Sequence, residues 1–261
     1  MDWWLTDPTR LAALLAVCSL LSSLELLIPL FRFRPGRLRR ALPNLMFAAG
    51  VVLTNLALAS FTASVASIVT HRGIGFFAGI RLRPWALALL GIAGLDFSAY
   101  LAHVLLHKLP LGWRFHRVHH SELEVDVTTA FRQHPGETLW RWLWQCIGTV
   151  VFGVPFWVLP VYLSLSSLNA MLEHANLTMP ESVDRFLQLL IVTPNMHKIH
   201  HSRIAAETDS NYSNIFSIWD RLLGTYTCRT EYRTLRYGLD SFDSKQKQRL
   251  KELIIEPFRR D

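Results

Sequence analysis

Charged residues are scarce in this chain of 261 residues: aspartate, glutamate, lysine and arginine make up 18% of it, and hydrophobic residues 51%. Soluble domains carry about 25% charged residues, so the composition argues against a soluble globular protein and favours a membrane protein. The formal net charge is +7, but the cations flank apolar runs. We therefore expect a bilayer surface as the acidic partner, and no nucleic acid.

Cysteine is also rare, and the three that occur, Cys18, Cys146 and Cys228, form no C-x-x-C pattern. This excludes a disulfide framework and a thiolate metal site. A removable signal peptide is not expected, because Asp2 and Asp7 stand where a basic start is required. The chain has no haem motif, flavin signature or G-x-G-x-x-G loop, so it carries no sequence sign of an organic redox cofactor.

Histidine, in contrast, is concentrated in short clusters. The stretches W-R-F-H-R-V-H-H-S at 113–121 and M-H-K-I-H-H-S at 196–202 each carry histidines at positions i, i+3 and i+4. On a helix this spacing places three imidazoles on one face within an arc of roughly 100°, which predicts a three-imidazole claw in each stretch. A further pair with i, i+4 spacing ends an apolar run. The eight residues are His103, His107, His116, His119, His120, His197, His200 and His201.

Neutral imidazole is the commonest nitrogen ligand for iron, zinc, copper and nickel. Eight imidazoles are too many for one ion and suit two. A structural zinc site is usually closed by four ligands, often including cysteine, so the pattern favours a dimetal site open to another ligand. Asp96, two helical turns before His103, is predicted to hold an imidazole N–H group. Ligand type alone leaves the metal open.

Three apolar stretches predict helices that cross a hydrocarbon layer of ~30 Å: 10–31, 42–70 and 84–109. A fourth, 139–174, is broken by Gly153, Pro155 and Pro160 and predicts a short hairpin that enters the membrane and returns. Glu25, inside the first stretch, is predicted to pair with Arg32 or to reach the interface. Residues 184–192 predict an amphipathic helix on the bilayer surface.

Arginines crowd the first loop, and the positive-inside rule places that loop in the cytoplasm. The alternation of spans then brings all histidine clusters to the cytoplasmic face. The predicted fold class is all-α: an integral membrane helical bundle with three full spans and a short membrane hairpin, and a cytoplasmic helical cap that holds a histidine-rich dimetal site. The arginines are Arg32, Arg34, Arg37, Arg39 and Arg40.

The sequence from 96 to 226 resembles the fatty acid hydroxylase and sterol desaturase superfamily of integral membrane di-iron enzymes. The resemblance lies in D-F-x-x-Y-x-x-H-x-x-x-H at 96–107, both histidine stretches, the H-P at His134, the E-H at 173–174 and N-Y-S-N-I-F-S-I-W-D-R-L-L-G-T at 211–225. It implies that the eight histidines bind two iron ions, that His174 is a further ligand, and that His134 is a ligand or lies beside one.

The resemblance also implies three parts: N-terminal membrane helices with a basic loop (1–83), a catalytic domain (84–228) and a cytoplasmic C-terminal tail (229–261). Asn211, Trp219 and Asp220 match signature positions that are expected to shape the site. No catalytic residue is implied beyond the metal ligands.

The implied activity is O2-dependent hydroxylation of a fatty acyl chain, a sterol or another membrane lipid. Desaturation at the same site remains an alternative, and a non-enzymatic membrane metal carrier is less favoured. Electrons must come from a separate reductase, cytochrome or ferredoxin, and the basic surface near Arg114 and Arg117 is a candidate for docking it.

Overall fold

A computed structural model describes residues 8–259, and every regular element within them is a helix. The all-α prediction is therefore confirmed for the described part of the chain, where the extended segments meet only in isolated bridges such as Pro29 with Leu177. The longer helices are α1 (Pro8–Leu27), α2 (Arg37–Arg72), α3 (Pro84–Lys108), α4 (Pro110–His120), α5 (Pro135–Phe152) and α6 (Val158–His174).

Short helices build the rest of the described chain and follow α6 in the sequence. They are α7 (Glu181–Leu187), α8 (Pro194–His200), α9 (Ala205–Thr208), α10 (Ile218–Leu222) and α11 (Leu250–Ile255). Single 3-10 turns connect several of them, and one at Val127–Phe131 lies between α4 and α5.

Two helices, α2 and α3, are long and apolar enough to cross a membrane. The apolar part of α1, Ala12–Leu27, is shorter, so the third full span that we predicted is not confirmed. The two long helices differ in packing, because 17% of the most apolar window of α2 is buried and 56% of that of α3. Thus α3 is central in the bundle, whereas α2 presents most of its surface outward.

The basic stretch is partly helical and not a loop throughout. Gly36, with φ of 94°, precedes α2, and the left-handed conformation there favours glycine. Arg37 lies in the first turn of α2 and pairs with the fully buried Glu25. The predicted pairing of Glu25 with Arg32 was therefore wrong.

Glu25 joins α1 to two distant segments. Its carboxylate accepts hydrogen bonds from the backbone N–H groups of Val127, at 2.7 Å, and Asn176, at 2.8 Å. Buried charges need such partners, because an unpaired one is costly. The first helix is thereby fixed to the chain that follows the first histidine stretch and to the chain that follows α6.

Small residues let α3 and α5 approach closely. A Cβ atom on Gly148 would lie 2.8 Å from Cβ of Ser98, which is too close for any residue except glycine. Ser98 Oγ donates to the carbonyl of Trp144 at 2.7 Å, and Trp140 Nε1 donates to the carbonyl of Ala102 at 3.0 Å. Polar contacts between close helices are typical of membrane bundles. They hold the end of α3 that carries the histidine pair.

Helices α5 and α6 cover the stretch 139–174 that was predicted as a membrane hairpin. Helix α5 ends at Phe152, Gly153 adopts a φ of 68°, and α6 begins at Val158. Pro160, predicted as a further break, lies in the first turn of α6, where a proline removes no helical hydrogen bond. The break is therefore confined to 153–157.

The amphipathic segment predicted at 184–192 is helical only as far as Leu187. Asp184 is fully buried, whereas Phe186, Leu189 and Leu190 are each more than half exposed. An apolar surface is present, but a turn completes it instead of a continuous helix.

A buried arginine holds the end of α4 in place. Arg132 is fully buried and donates to Asn44 Oδ1 at 3.0 Å, Ser121 Oγ at 2.7 Å and Gln248 Oε1 at 2.7 Å. Its guanidinium also lies 3.4 Å from Glu122 Oε2. One side chain therefore connects α2, the residues after α4 and the C-terminal segment.

We expect Arg132→Met to destabilise the protein by about 3–5 kcal/mol, because it leaves the buried Glu122 carboxylate without its cationic partner. Thermal unfolding of the detergent-solubilised protein measures this effect. The control is Arg39→Met at an exposed arginine, which should change stability by less than about 0.5 kcal/mol. Equal midpoints for the two variants would contradict the role of Arg132.

Candidate metal centre

The structure brings nine histidines together in two adjacent groups. Within each group, one ligand nitrogen from every residue lies within 4.8 Å of the others, and all nine side chains are buried or nearly so. Site A consists of His103, His107, His116, His120 and His200. Site B consists of His119, His174, His197 and His201.

Neither histidine triplet stays together, so the predicted claws were wrong in detail. In the first triplet, His116 and His120 belong to site A and His119 to site B. Helix geometry gives the reason: an i, i+4 pair is separated by about 40° around the axis, whereas the i+3 residue lies about 100° from the i+4 residue. The pair therefore reaches one site and the third histidine reaches the other.

The second triplet divides in the same way but in the opposite sense. His197 and His201 belong to site B, and His200 belongs to site A. Helices α4 and α8 therefore each contribute to both sites, and the sites adjoin. The rings of His120 and His201, which belong to different sites, stack with centroids 4.6 Å apart.

A sharp turn between α3 and α4 brings the first clusters together. Helix α3 ends at Lys108 and α4 begins at Pro110, whose missing N–H costs nothing at that position. A Cβ on Gly112 would lie 2.8 Å from Cα of Leu106, so the close approach requires glycine. As a result, Nε2 of His103 and Nε2 of His116 lie 3.0 Å apart.

In site B, imidazole lone pairs converge. His174 Nδ1 lies 2.7 Å from the carbonyl oxygen of Ala170, which only accepts hydrogen bonds, so Nδ1 carries the proton. The unprotonated His174 Nε2 then lies 3.1 to 3.2 Å from Nε2 of His119, His197 and His201. This convergence of ring nitrogens fits a cation bound between them.

Site A has the same arrangement. Nδ1 of His103 donates to the carbonyl of Tyr212, and Nδ1 of His200 donates to the carbonyl of Ser210, both at 2.7 Å. Their Nε2 atoms are therefore acceptors, and His200 Nε2 is buried without a hydrogen-bond partner among the described residues. The donor set fits a transition metal such as iron in each site.

Burial keeps the ligands neutral. It lowers the pKa well below the usual value for the six histidines of the stretches at 113–121 and 196–202, and the neighbouring imidazoles lower it further. A neutral imidazole is the form that binds a metal. The six are His116, His119, His120, His197, His200 and His201.

Two carboxylates that we did not predict stand behind site A. Glu137, fully buried, has Oε1 3.0 Å from His116 Nδ1 and accepts from Arg141 Nε at 2.8 Å. Asp209 Oδ1 lies 3.4 Å from His107 Nδ1. Such outer partners orient ligating imidazoles and raise their basicity. Only the fold reveals them, since neither acid has histidine spacing in the sequence.

Asp96 does not hold an imidazole, so that prediction was wrong. Its carboxylate accepts from the backbone N–H of Ile215 at 3.0 Å, that of Phe216 at 2.9 Å and Trp219 Nε1 at 2.9 Å. It anchors the signature segment 211–225 to α3.

The signature segment shapes the site, as the resemblance implied. Asp220 accepts from the backbone N–H groups of Tyr212, at 2.8 Å, and Ser213, at 2.9 Å. It thereby fixes the Tyr212 carbonyl, which accepts the hydrogen bond from His103 Nδ1. Asn211, with φ of 53°, donates to the carbonyl of Met196 at 3.0 Å. The segment therefore fixes both α8 and a ligand of site A.

His134 lies outside both sites. Its Nδ1 accepts from the backbone N–H of Gly136 at 3.0 Å and caps α5, and its Nε2 donates to the carbonyl of Ile254 at 3.2 Å. Both ring nitrogens have partners, so the structure gives this residue a helix-capping contact and no place in either group.

The arginines proposed for docking an electron donor are engaged by the C-terminal segment. Arg114 donates to the carbonyl of Arg259, and Arg117 donates to the carbonyl of Glu256 at 3.2 Å. Arg117 also lies 3.7 Å from the Glu256 carboxylate. This surface is covered and is not an open basic patch.

We expect Glu137→Gln to lower the metal affinity of site A by about 10- to 100-fold, because a neutral amide replaces the carboxylate that lies 3.0 Å from His116 Nδ1. Chelator competition followed by metal analysis measures this. Glu231→Gln, at an exposed glutamate, is the control and should retain full affinity. A Glu137→Gln protein with unchanged affinity would rule out the orienting role.

Known proteins are similar to the part of the chain that carries the histidine sites. The fatty acid hydroxylase family matches residues 88–225. An ornithine lipid hydroxylase of Rhizobium tropici is 32% identical over 189 residues, 70% of this chain and 55% of that protein. An alkylglycerol monooxygenase of Xenopus tropicalis is 31% identical over 155 residues, 59% of this chain and 32% of that protein.

A third relative, methylsterol monooxygenase 2-2 of Arabidopsis thaliana, is 28% identical over 211 residues, 78% of this chain and 77% of that protein. The chain thus spans about half of the first relative's length and about a third of the second's. No solved structure matches the chain.

Proposed function

The chain belongs to the fatty acid hydroxylase family, and we propose that it is a membrane-bound, metal-dependent oxidoreductase that uses O2 to hydroxylate a lipid. The observation that carries the proposal is the convergence of nine buried imidazoles into two adjacent sites. The relatives act by name on an ornithine lipid, an alkylglycerol and a methylsterol. Lipid hydroxylation is common to them, whereas the headgroup and chain differ.

We further propose that sites A and B hold two iron ions. Bound iron would supply the redox chemistry by which O2 attacks an unactivated C–H bond. In the net reaction the substrate C–H becomes C–OH, the second oxygen atom leaves as water, and two electrons and two protons are consumed. A separate reductase, cytochrome or ferredoxin must supply the electrons.

The protein's own contribution is to hold the ions in place and to exclude bulk water from them. Ring nitrogens of site A and site B fix the ions, and backbone carbonyls such as that of Tyr212 fix the rings. Burial of the nine imidazoles keeps bulk water away, which protects a reactive centre from side reactions. The lipid carbon must then be placed against the sites with its tail among apolar helices.

We place the metal sites on the cytoplasmic side of a multi-pass protein, with α1 and the α5–α6 hairpin as membrane segments besides α2 and α3. Arg37 and Arg40 pair with Asp126 and Glu124, which follow His120 closely in the chain. The basic stretch and the histidine sites therefore share one face, and basic segments favour the cytoplasm. The division into 1–83, 84–228 and 229–261 belongs to the same proposal.

The decisive experiment supplies candidate lipids, ¹⁸O2 and an electron donor to anaerobically purified protein. Mass spectrometry should show products that have gained one ¹⁸O atom, and His120→Ala protein should form none. Products that have instead lost two hydrogens would establish the alternative, a fatty-acyl or sterol desaturase. Metal uptake into vesicles without any lipid product would overturn the enzyme in favour of a carrier.

A further inference from the structure

A cleft of about 600 Å³ lies outside the metal sites, beside the segment that follows α1. Four arginines and two carboxylates line it, so its charge is positive. The arginines come from two parts of the chain that are far apart in sequence. They are Arg32, Arg34, Arg203 and Arg236.

The arginines differ in whether they have partners. Arg34 lies 3.4 Å from Glu124, and Arg203 pairs with Asp243. Arg32 and Arg236 are exposed, and within residues 8–259 neither side chain has a hydrogen bond or an ion pair. Two guanidinium groups without a counter-charge in one cleft attract an anion.

The same cleft has an apolar wall. The rings of Phe31 and Tyr237 line it, with centroids 5.5 Å apart, and Leu235 adjoins them. Leu26 and Leu27, at the end of α1, are 66% and 76% exposed. An exposed apolar helix end therefore precedes the basic cleft by four residues in the chain, and a ligand with an apolar chain and an anionic head needs both kinds of surface.

We propose that this cleft binds the anionic headgroup of a membrane lipid through Arg32 and Arg236. Guanidinium groups bind phosphate and carboxylate in a bidentate manner, so the recognised chemistry is either anion. The position at the end of α1 favours a lipid over a soluble anion. The proposal requires a membrane protein but not the oxidation chemistry.

The cleft also adjoins the metal sites through the chain. Arg203 lies two residues after His201, and Tyr237 pairs in an isolated bridge with Ser202. Leu123, another lining residue, lies three residues after His120. A lipid head held here is therefore anchored to the ends of both histidine stretches.

The test uses the full chain in phosphatidylcholine nanodiscs, with dihexanoyl phosphatidylglycerol and inorganic phosphate as separate probes. Native mass spectrometry measures the binding of each. We expect the Arg32→Gln/Arg236→Gln variant to bind phosphatidylglycerol roughly tenfold or more weakly than wild type. The matched control is Arg39→Gln/Arg233→Gln, which removes the same charge at exposed arginines outside the cleft.

Three results would overturn the proposal. If the cleft variant and the control bind phosphatidylglycerol equally well, the cleft is not the binding site. If equimolar phosphate displaces the lipid, the cleft is a site for a free anion. Binding of uncharged dihexanoyl glycerol as tight as that of the anionic lipid would remove the headgroup role. Metal content and the unfolding midpoint show whether each variant is folded. If either falls in the double variant, Arg32→Gln and Arg236→Gln are tested singly. The binding test does not depend on the proposed oxidation, because it measures lipid binding and not lipid products.

Discussion

Two histidine substitutions made in the same site should leave one metal ion per chain, whereas two made in different sites should leave none. His103→Ala with His200→Ala alters only site A, so site B should keep its ion. His197→Ala with His200→Ala alters both sites, although the two residues are neighbours on α8, and no ion should remain. Metal analysis of purified protein gives the ion count directly.

The reason is the division of each triplet between two sites. If each triplet held its own ion, the α8 double variant would empty only one site and would retain one ion. Lipid oxidation should fall at least about a hundredfold in every variant, since loss of a ligand costs more than loss of an outer partner. His71→Ala is the control, because His71 is exposed and lies in neither site.

The metal-free protein should lose stability steeply as the pH falls below about 6.5. Burial lowers the pKa of the six histidines of the stretches at 113–121 and 196–202 in the folded state. Above pH 6.5 these histidines are neutral in both states and contribute no difference. Below it the unfolded chain binds protons that the folded chain does not, and each histidine costs up to about 1.4 kcal/mol per pH unit.

Unfolding midpoints measured between pH 8 and pH 5 test this expectation. Burial raises the pKa of Asp220 and Glu124, so these carboxyls act in the opposite direction, and the measured midpoints report the net effect. Protein loaded with metal provides the comparison, because bound ions stabilise the folded state over the same range. A midpoint of the metal-free protein that does not change with pH would show that the imidazoles are solvated.

The sequence was sufficient for what depends on spacing. Histidines at i, i+3 and i+4, together with the i, i+4 pair, predicted eight of the nine histidines that gather, and His174 came from the family resemblance. Apolar length predicted α2 and α3, but a full span in the first stretch is not confirmed, because the apolar helix found there among the described residues is Ala12–Leu27. Its carboxylate, Glu25, turns inward to Arg37 instead of reaching the interface.

What the sequence did not reveal depends on contacts between distant segments. Which imidazole joins which site depends on how α4 and α8 face each other, and spacing along one helix does not fix this. Glu137 stands behind His116 only because α5 packs beside α4, and Asp96 meets Trp219 only because the signature segment folds back. The outer partners therefore required the fold, whereas the ligand types did not.

The contacts of Glu25 decide what kind of element α1 is. It provides the acceptor for two backbone amides, at Val127 and Asn176, which follow His120 and His174 in the chain. Truncation of α1 would remove the Glu25 carboxylate and leave both buried amides and the Arg37 guanidinium without this partner. The first helix is thus an integral part of the packed bundle, and proteolytic removal of α1 should destabilise the protein as strongly as a substitution among the buried histidines.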